Sequence, residues 1–91
     1  MAWKKWNNEE NKWEDNPEAD KLWDKYMSVV DTVYRTDDWN NANNDQREKY
    51  SGKVVKKLVQ SWEESDISRL MDLLYEARNL REYDMLRSMG Y

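Results

Sequence analysis

The chain has 91 residues, of which 38% are hydrophobic and 37% are charged, and its formal net charge at pH 7 is -4. A chain of this length forms one domain with a modest core, and its six Trp and six Tyr oppose a disordered chain. Two glycines and one proline favour helices over a β-sandwich or barrel. Without Cys or His, the chain offers no disulfide, no zinc site of the usual kinds and no histidine-activated nucleophile.

The composition also limits the chemistry. Two distant glycines cannot form a phosphate-binding loop. The neighbouring acids Asp37-Asp38 and Glu63-Glu64 are formally capable of acid–base work, although such pairs usually act as solvated caps. We therefore predict a protein that is not an enzyme and has no cofactor or metal. Because there is no apolar signal segment and no run of ~18 apolar residues, we expect a cytoplasmic location and no membrane contact.

A tryptophan-rich segment, 1–16, precedes a predicted single helical domain, 17–91. Trp3, Trp6 and Trp13 are spaced by three and seven residues, so a helix would line them along one side. Several asparagines disfavour that helix, and so short a helix needs a surface to dock on. We expect Trp13 to dock on the bundle and Trp3 and Trp6 to anchor a partner, so that deleting the first eight residues costs little stability. The alternative is that all the rings complete the core.

The first helix is predicted over 17–35. Asn16 is a good N-cap, Pro17 suits the first helical position, and Glu18 favours the positive end of the helix dipole. Apolar residues then recur with the helical period over about five turns. They are Ala19, Leu22, Trp23, Tyr26, Val29, Val30, Val33 and Tyr34.

A polar loop is predicted over 36–44, with the sequence TDDWNNANN and one tryptophan, Trp39. Read as an EF-hand calcium loop that begins at Asp38, it has Asn43 at the sixth position instead of Gly and Lys49 at the twelfth instead of Glu. The segment is therefore not expected to bind calcium.

The second helix is predicted over 46–63 and has two possible starts, a capping box of Asp45 with Glu48 or a cap at Ser51. A basic face lies opposite its apolar face. These lysines either pair with the acidic first helix or contact a partner, and nucleic acid is not the expected partner because the net charge opposes it. The basic face comprises Lys49, Lys53, Lys56 and Lys57.

The third helix is predicted over 66–88, capped by Ser65 and ended by Gly90, with Asn79 as the position of a kink. Its apolar stripe is wider than one contact face requires. Either a second copy covers the excess, which predicts a homo-oligomer, or the first helix and the N-terminal tryptophans do. The residues expected at the oligomer interface are Leu73, Leu80 and Met89.

The segment VQSWEESDISRLMDLLYEARNLREYDMLRSM resembles the second half of the non-bleaching protein A family, the adaptors that promote phycobilisome degradation in cyanobacteria and are also carried by some cyanophages. The resemblance covers residues 46–89, about half of the chain. The positions that carry it are Val59-Gln60, Leu74-Tyr75-Glu76, Leu80-Arg81-Glu82 and the helix end from Met85 to Met89.

The resemblance implies a helical hairpin that pairs as a four-helix dimer and binds phycobiliprotein through the end of its long helix. That implication places the recognition residues near Leu86, Arg87 and Met89.

The predicted fold is therefore all-α, a three-helix bundle with a tryptophan-rich N-terminal segment. The predicted function is a non-enzymatic protein–protein interaction module, with a phycobilisome-degradation adaptor of cyanobacterial or cyanophage origin as its specific form. Two alternatives stay open, namely a small acidic inhibitor of a partner or host enzyme and an oligomeric assembly or nucleic-acid-associated factor.

Overall fold

The computed structural model describes residues 2–35 and 41–91 of the chain. In these residues an antiparallel β-hairpin precedes four helices, so the fold is mostly helical but neither all-α nor a three-helix bundle. The predicted loop around Trp39 lies largely outside the described residues, which resume at residue 41. The elements are β1 (Lys4–Asn7), β2 (Lys12–Asp15), α1 (Pro17–Tyr34), α2 (Asn44–Ser61), α3 (Glu64–Glu76) and α4 (Leu80–Ser88).

The hairpin replaces the N-terminal helix considered from the sequence. The Asn7 side-chain oxygen accepts hydrogen bonds from the backbone N–H groups of Glu9 and Glu10, at 3.0 and 3.2 Å. Asn11 closes the turn with a φ of 49°, in the left-handed region that Asn tolerates better than most residues. The asparagines that disfavour a helix here thus form the turn. Trp6 pairs directly with Trp13 across the two strands.

Helix α1 confirms the sequence prediction closely. The Asn16 side-chain oxygen accepts the backbone N–H of Ala19 at 3.2 Å, and Pro17 is the first helical residue. The N-cap of α2 is Asn43, two residues before the predicted cap Asp45, and Asn43 and Gln46 form a reciprocal capping box. Ser51, one of the two caps considered, lies buried within α2.

The predicted helix over 66–88 is two helices, and the break lies at the residue predicted as a kink. Arg78 has a φ of 62°, Asn79 N–H donates to the Leu74 carbonyl at 2.9 Å, and Arg78 N–H donates to the Tyr75 carbonyl at 3.1 Å. This pair of bonds is a Schellman motif, which ends a helix and turns the chain. The predicted cap at Ser65 is wrong, because α3 begins at Glu64 and Glu63 precedes it without a side-chain cap bond.

The main core lies where the four helices meet, and a second, smaller cluster attaches the hairpin to α1 and α3. The smaller cluster comprises Trp3, Ala19 and Leu73. No helix in the described ranges has both the length and the apolar character needed to cross a bilayer. Side chains with no exposed surface at the centre of the main core are Val54, Leu58, Ile67, Leu70, Leu74 and Leu86.

Candidate functional site

Trp3 fixes the base of the hairpin to α1. Its backbone N–H donates to the Asp20 carboxylate at 2.7 Å, and its carbonyl accepts the Asn16 N–H at 2.9 Å. The ring is 6% exposed and meets the ring of Trp23 edge-on, with the centroids 5.3 Å apart. Trp3 therefore belongs to the core, and the prediction that it anchors a partner is wrong for this fold.

Trp6 and Trp13 form an exposed aromatic pair on the hairpin. Their ring centroids are 5.4 Å apart and their planes are inclined by 72°, an edge-to-face contact. Trp6 is 46% exposed and Trp13 is 66% exposed. Trp6 is accessible to a partner, and its role as a partner anchor stays a prediction. Trp13, which was expected to dock on the bundle, instead faces solvent beside it.

These two rings line one side of a groove of about 730 Å³ between the hairpin, α1 and α3, which we call the tryptophan groove. Its apolar part comprises Trp3, Ala19, Leu22 and Leu73, so the hairpin anchor also forms part of its wall. Its charged part comprises Lys4, Lys5, Glu18, Lys21, Lys25, Arg69, Asp72 and Glu76.

Most of the cations in the groove have acidic partners. Lys4 pairs with Asp15, and Arg69 pairs with Asp66. Lys5 lies 3.9 Å from a carboxylate oxygen of Glu14, and Lys25 lies 3.5 Å from one of Asp66. The hydrogen bond from Lys4 and the charge of that lysine lower the pKa of Asp15, and the hydrogen bond from Arg69 lowers the pKa of Asp66.

Four charged residues of the groove form no ion pair with any residue in the described ranges. Three of them are acids, Glu18, Asp72 and Glu76, and the fourth is Lys21. From the sequence, Glu18 was assigned only to the start of the first helix, and Asp72 and Glu76 were assigned no role in binding. Asp72 and Glu76 are one helical turn apart on α3, but only the docked hairpin shows that they border the same groove as Trp6 and Trp13.

The predicted basic face is present on α2, away from the tryptophan groove, and its four lysines are exposed. The Lys53 ammonium lies 5.6 Å from the centre of the Tyr50 ring. In the described part of the chain Lys49, Lys56 and Lys57 form no ion pair. The electrostatic pairing with the first helix considered from the sequence is therefore not found for these three residues.

The recognition residues implied by the family resemblance do not form one surface. Leu86 has no exposed surface, because it faces the main core, so it cannot contact a partner in this fold. Arg87 is exposed and donates to the Tyr83 hydroxyl at 3.4 Å. Met89 is 52% exposed.

The three residues expected at an oligomer interface also do not form one exposed surface. Leu73 is buried within the chain against Trp3 and Ala19, as the alternative considered from the sequence requires. Leu80 and Met89 stay exposed on α4 and at its end. Only the latter two residues are available to a second copy.

A buried polar cluster joins α1 to the start of α4, and the sequence analysis missed it. Glu82 is 1% exposed, and its carboxylate accepts the Tyr26 hydroxyl hydrogen at 2.6 Å and a hydrogen bond from the Asn79 side chain. Burial raises the pKa of the Glu82 carboxyl, although both hydrogen bonds oppose that shift. The one signal in the sequence that could have predicted the burial of Glu82 is its position four residues before Leu86, because residues four apart lie on the same face of a helix.

Comparison with models of known protein families finds no match, and comparisons with curated proteins and with solved structures also find none. The fold and the groove define the molecule as a small, mostly helical protein with an N-terminal tryptophan hairpin.

Proposed function

We propose that this chain is a non-enzymatic protein-binding module and that it binds its partner through the tryptophan groove. The observation that carries the proposal is the pair Trp6 and Trp13, two large aromatic side chains that stay substantially exposed beside a groove of about 730 Å³. Trp is enriched among the residues that dominate binding energy at protein interfaces. Burial of these two rings by a partner would supply much of the affinity.

The way in which the hairpin is held supports the same proposal. The buried ring of Trp3 and its two backbone hydrogen bonds attach the hairpin to α1, and the Asn7 turn closes its other end. Trp6 and Trp13 therefore lie on a hairpin that is held in place at both ends. Pre-organisation of this kind reduces the entropy lost on binding.

The other functions considered from the sequence receive less support from the geometry. Glu82 is the described carboxyl whose pKa is raised by burial, but it lies in the contact between α1 and α4 and does not border the groove. The four lysines of α2 are a small basic patch on a chain with a net charge of -4, which disfavours a nucleic-acid factor. An acidic inhibitor would itself be a protein-binding module and would use the same groove.

A phycobilisome-degradation adaptor is the narrower form of the proposal. It is supported by the resemblance of residues 46–89 and by the exposure of Arg87 and Met89 at the end of α4. The helix break at Arg78 and the burial of Leu86 weigh against a direct transfer of that binding mode. We also propose that the module acts in the cytoplasm, because the chain contains no cysteine and disulfide bonds are typical of secreted proteins.

The test is capture of partners from a cell lysate by the wild-type chain, followed by affinity measurements with the purified partner. The variant Trp6→Ala/Trp13→Ala should lose most of the affinity, because two hot-spot side chains are removed. Tyr75→Ala is the matched control, since Tyr75 is 55% exposed and lies outside the groove. Unchanged affinity of the double variant would refute the tryptophan groove as the binding surface. If Tyr75→Ala alone lost affinity, the binding surface would instead lie on α3 and α4.

A further inference from the structure

We propose that the occupant of the tryptophan groove is a basic segment of the partner protein, a stretch in which Lys or Arg side chains accompany apolar ones. This inference rests on the proposed function and adds the chemistry of the bound segment.

The first argument is the balance of charges that are not already paired. Three exposed acids border the groove and have no ion-pair partner in the described ranges, namely Glu18, Asp72 and Glu76. Within the same ranges, Lys21 is the one cation of the groove without such a partner. Among these unpaired groups a basic segment meets three opposite charges and one like charge, whereas an acidic segment meets one opposite charge and three like charges. Complementary charge of this kind selects partners and speeds their association.

The paired cations of the groove do not reverse this balance. Lys4 and Lys5 each have a carboxylate partner, Asp15 and Glu14, whereas Lys25 and Arg69 share Asp66. The one positive charge left in excess at Asp66, together with Lys21, is still outnumbered by the three unpaired acids. An acidic ligand would have to compete with these carboxylates for each cation, while a basic ligand leaves every existing pair in place.

The second argument is the nature of the walls. The exposed faces of Trp6 and Trp13 attract cations through their π-systems, and the same rings accept apolar side chains. A segment that carries both cationic and apolar side chains uses both properties at once. The whole chain, with a net charge of -4, also attracts a basic partner at long range.

The arrangement of the acids suits a metal ion less well than a basic segment. No group of three acids in the described ranges could hold a metal ion. The unpaired acids of the groove come from two helices, Glu18 from α1 and the neighbouring pair Asp72 and Glu76 from α3. Carboxylates on two helices suit a ligand with several cationic groups along its length.

The test uses three synthetic peptides of nine residues that share three leucines and differ only in carrying four lysines, four glutamates or four serines. Binding to the full chain is followed by fluorescence anisotropy of a label on the peptide. We expect the lysine peptide to bind best, with an affinity that falls as salt rises, and the glutamate peptide to bind worst. The serine peptide should lie between them.

Two triple variants separate a local effect from the net charge of the chain. Glu18→Gln/Asp72→Asn/Glu76→Gln removes the unpaired acids of the groove and should weaken the lysine peptide by about tenfold, since three exposed ion pairs are lost. Glu9→Gln/Glu48→Gln/Asp84→Asn changes the net charge equally at exposed acids outside the groove and should leave that affinity almost unchanged.

The outcomes distinguish this inference from the proposed function. Equal binding of the lysine and serine peptides, with loss of both in Trp6→Ala/Trp13→Ala, overturns the basic segment but keeps the groove as the binding surface. Stronger binding of the glutamate peptide also overturns it. Lysine-peptide binding that survives Trp6→Ala/Trp13→Ala overturns the groove itself. Concentration-dependent self-association that disappears with Lys49→Gln/Lys56→Gln/Lys57→Gln would make a second copy the occupant and overturn a separate partner.

Discussion

Tyr26 and Glu82, 56 residues apart in the sequence, meet in the interior through a hydrogen bond of 2.6 Å from the phenol to the carboxylate. Asn79 donates from its side chain to both groups, so three polar side chains form one cluster between α1 and α4. The second carboxylate oxygen of Glu82, Oε1, is buried and has no hydrogen-bond partner in the described ranges. A charged Glu82 in this position is only partly compensated.

The first prediction concerns pH. Burial raises the folded-state pKa of Glu82 above its ordinary value of 4.5, so the native state holds the Glu82 proton more tightly than the unfolded state does. The stabilisation from this group is therefore fully present below pH 4.5 and is lost as the pH rises through the folded-state pKa. Burial also raises the pKa values of Tyr26 and Tyr34, the latter to about 12, so these phenols stay neutral in that range.

Glu82→Gln tests this dependence because glutamine keeps the shape of the side chain without its charge. The difference in unfolding free energy between variant and wild type should increase in favour of the variant from about pH 4.5 upward. Urea unfolding at a series of pH values measures it. The difference also cancels the opposite contributions of Asp15 and Asp66, whose lowered pKa values favour the folded state at higher pH. A difference that does not change with pH would contradict the prediction.

The second prediction is that Tyr26 and Glu82 are energetically coupled. At a pH above the folded-state pKa of Glu82, Tyr26→Phe removes the hydroxyl donor from a buried carboxylate, which should cost about 1–3 kcal/mol. In the Glu82→Gln background the same substitution should cost less, because no charge is left uncompensated. A double-mutant cycle from four unfolding curves gives the coupling free energy. Equal costs in both backgrounds would contradict the coupling and would mean that the Tyr26 hydroxyl contributes independently of Glu82, for example as the acceptor of the Asn79 side chain.

The parts of this fold that follow from local chemistry were predictable from the sequence. Asn16 and Pro17 identify the start of α1 because a cap and a fixed φ act within a few residues. Gly90 ends α4 with a φ of 98°, and the N–H of Tyr91 donates to the Leu86 carbonyl at 3.1 Å, as a glycine-ended helix requires.

The parts decided by tertiary contacts were not predictable in the same way. Trp6 and Trp13 lie on one side of the chain in a helix because they are seven residues apart, and they also face each other across a hairpin with a four-residue turn. The spacing therefore does not distinguish the two structures. Of the residues that border the tryptophan groove, the sequence predicted Trp3 and Trp6 as partner-binding residues, and Trp3 is buried in the fold. The unpaired acids of the groove were not predicted as site residues, because they come from α1 and α3 and meet the hairpin only in the folded chain.

The third prediction concerns the break between α3 and α4. Arg78 adopts the left-handed conformation, which a side chain with a Cβ occupies at a cost of about 1–2 kcal/mol. Arg78→Gly should therefore raise the unfolding free energy by roughly 0.5–1 kcal/mol, after the larger entropy that glycine loses on folding is subtracted. Arg78→Ala is the control, because it removes the same charge but keeps the Cβ. If both variants change stability equally, the backbone conformation is not the cause.

The fourth prediction concerns the basic face. Lys49→Gln/Lys56→Gln/Lys57→Gln should leave the melting temperature nearly unchanged, because these exposed lysines pair with no described residue and each such substitution changes stability by about 0.5 kcal/mol or less. Differential scanning calorimetry measures the effect. A fall of many degrees would show that the lysines do stabilise the fold electrostatically.

The last prediction contrasts two tryptophans of the same hairpin. Trp3→Ala should lower the unfolding free energy by about 3–5 kcal/mol, because the buried ring packs on Ala19 and Leu73 and its loss leaves a cavity. Trp13→Ala removes a ring that is 66% exposed and should cost far less. Deletion of the first eight residues should resemble Trp3→Ala, contrary to the expectation from the sequence that this deletion costs little. Chemical unfolding of the three variants decides the matter, since equal stability of the deletion and the wild type would mean that the Trp3 anchor contributes nothing to the fold.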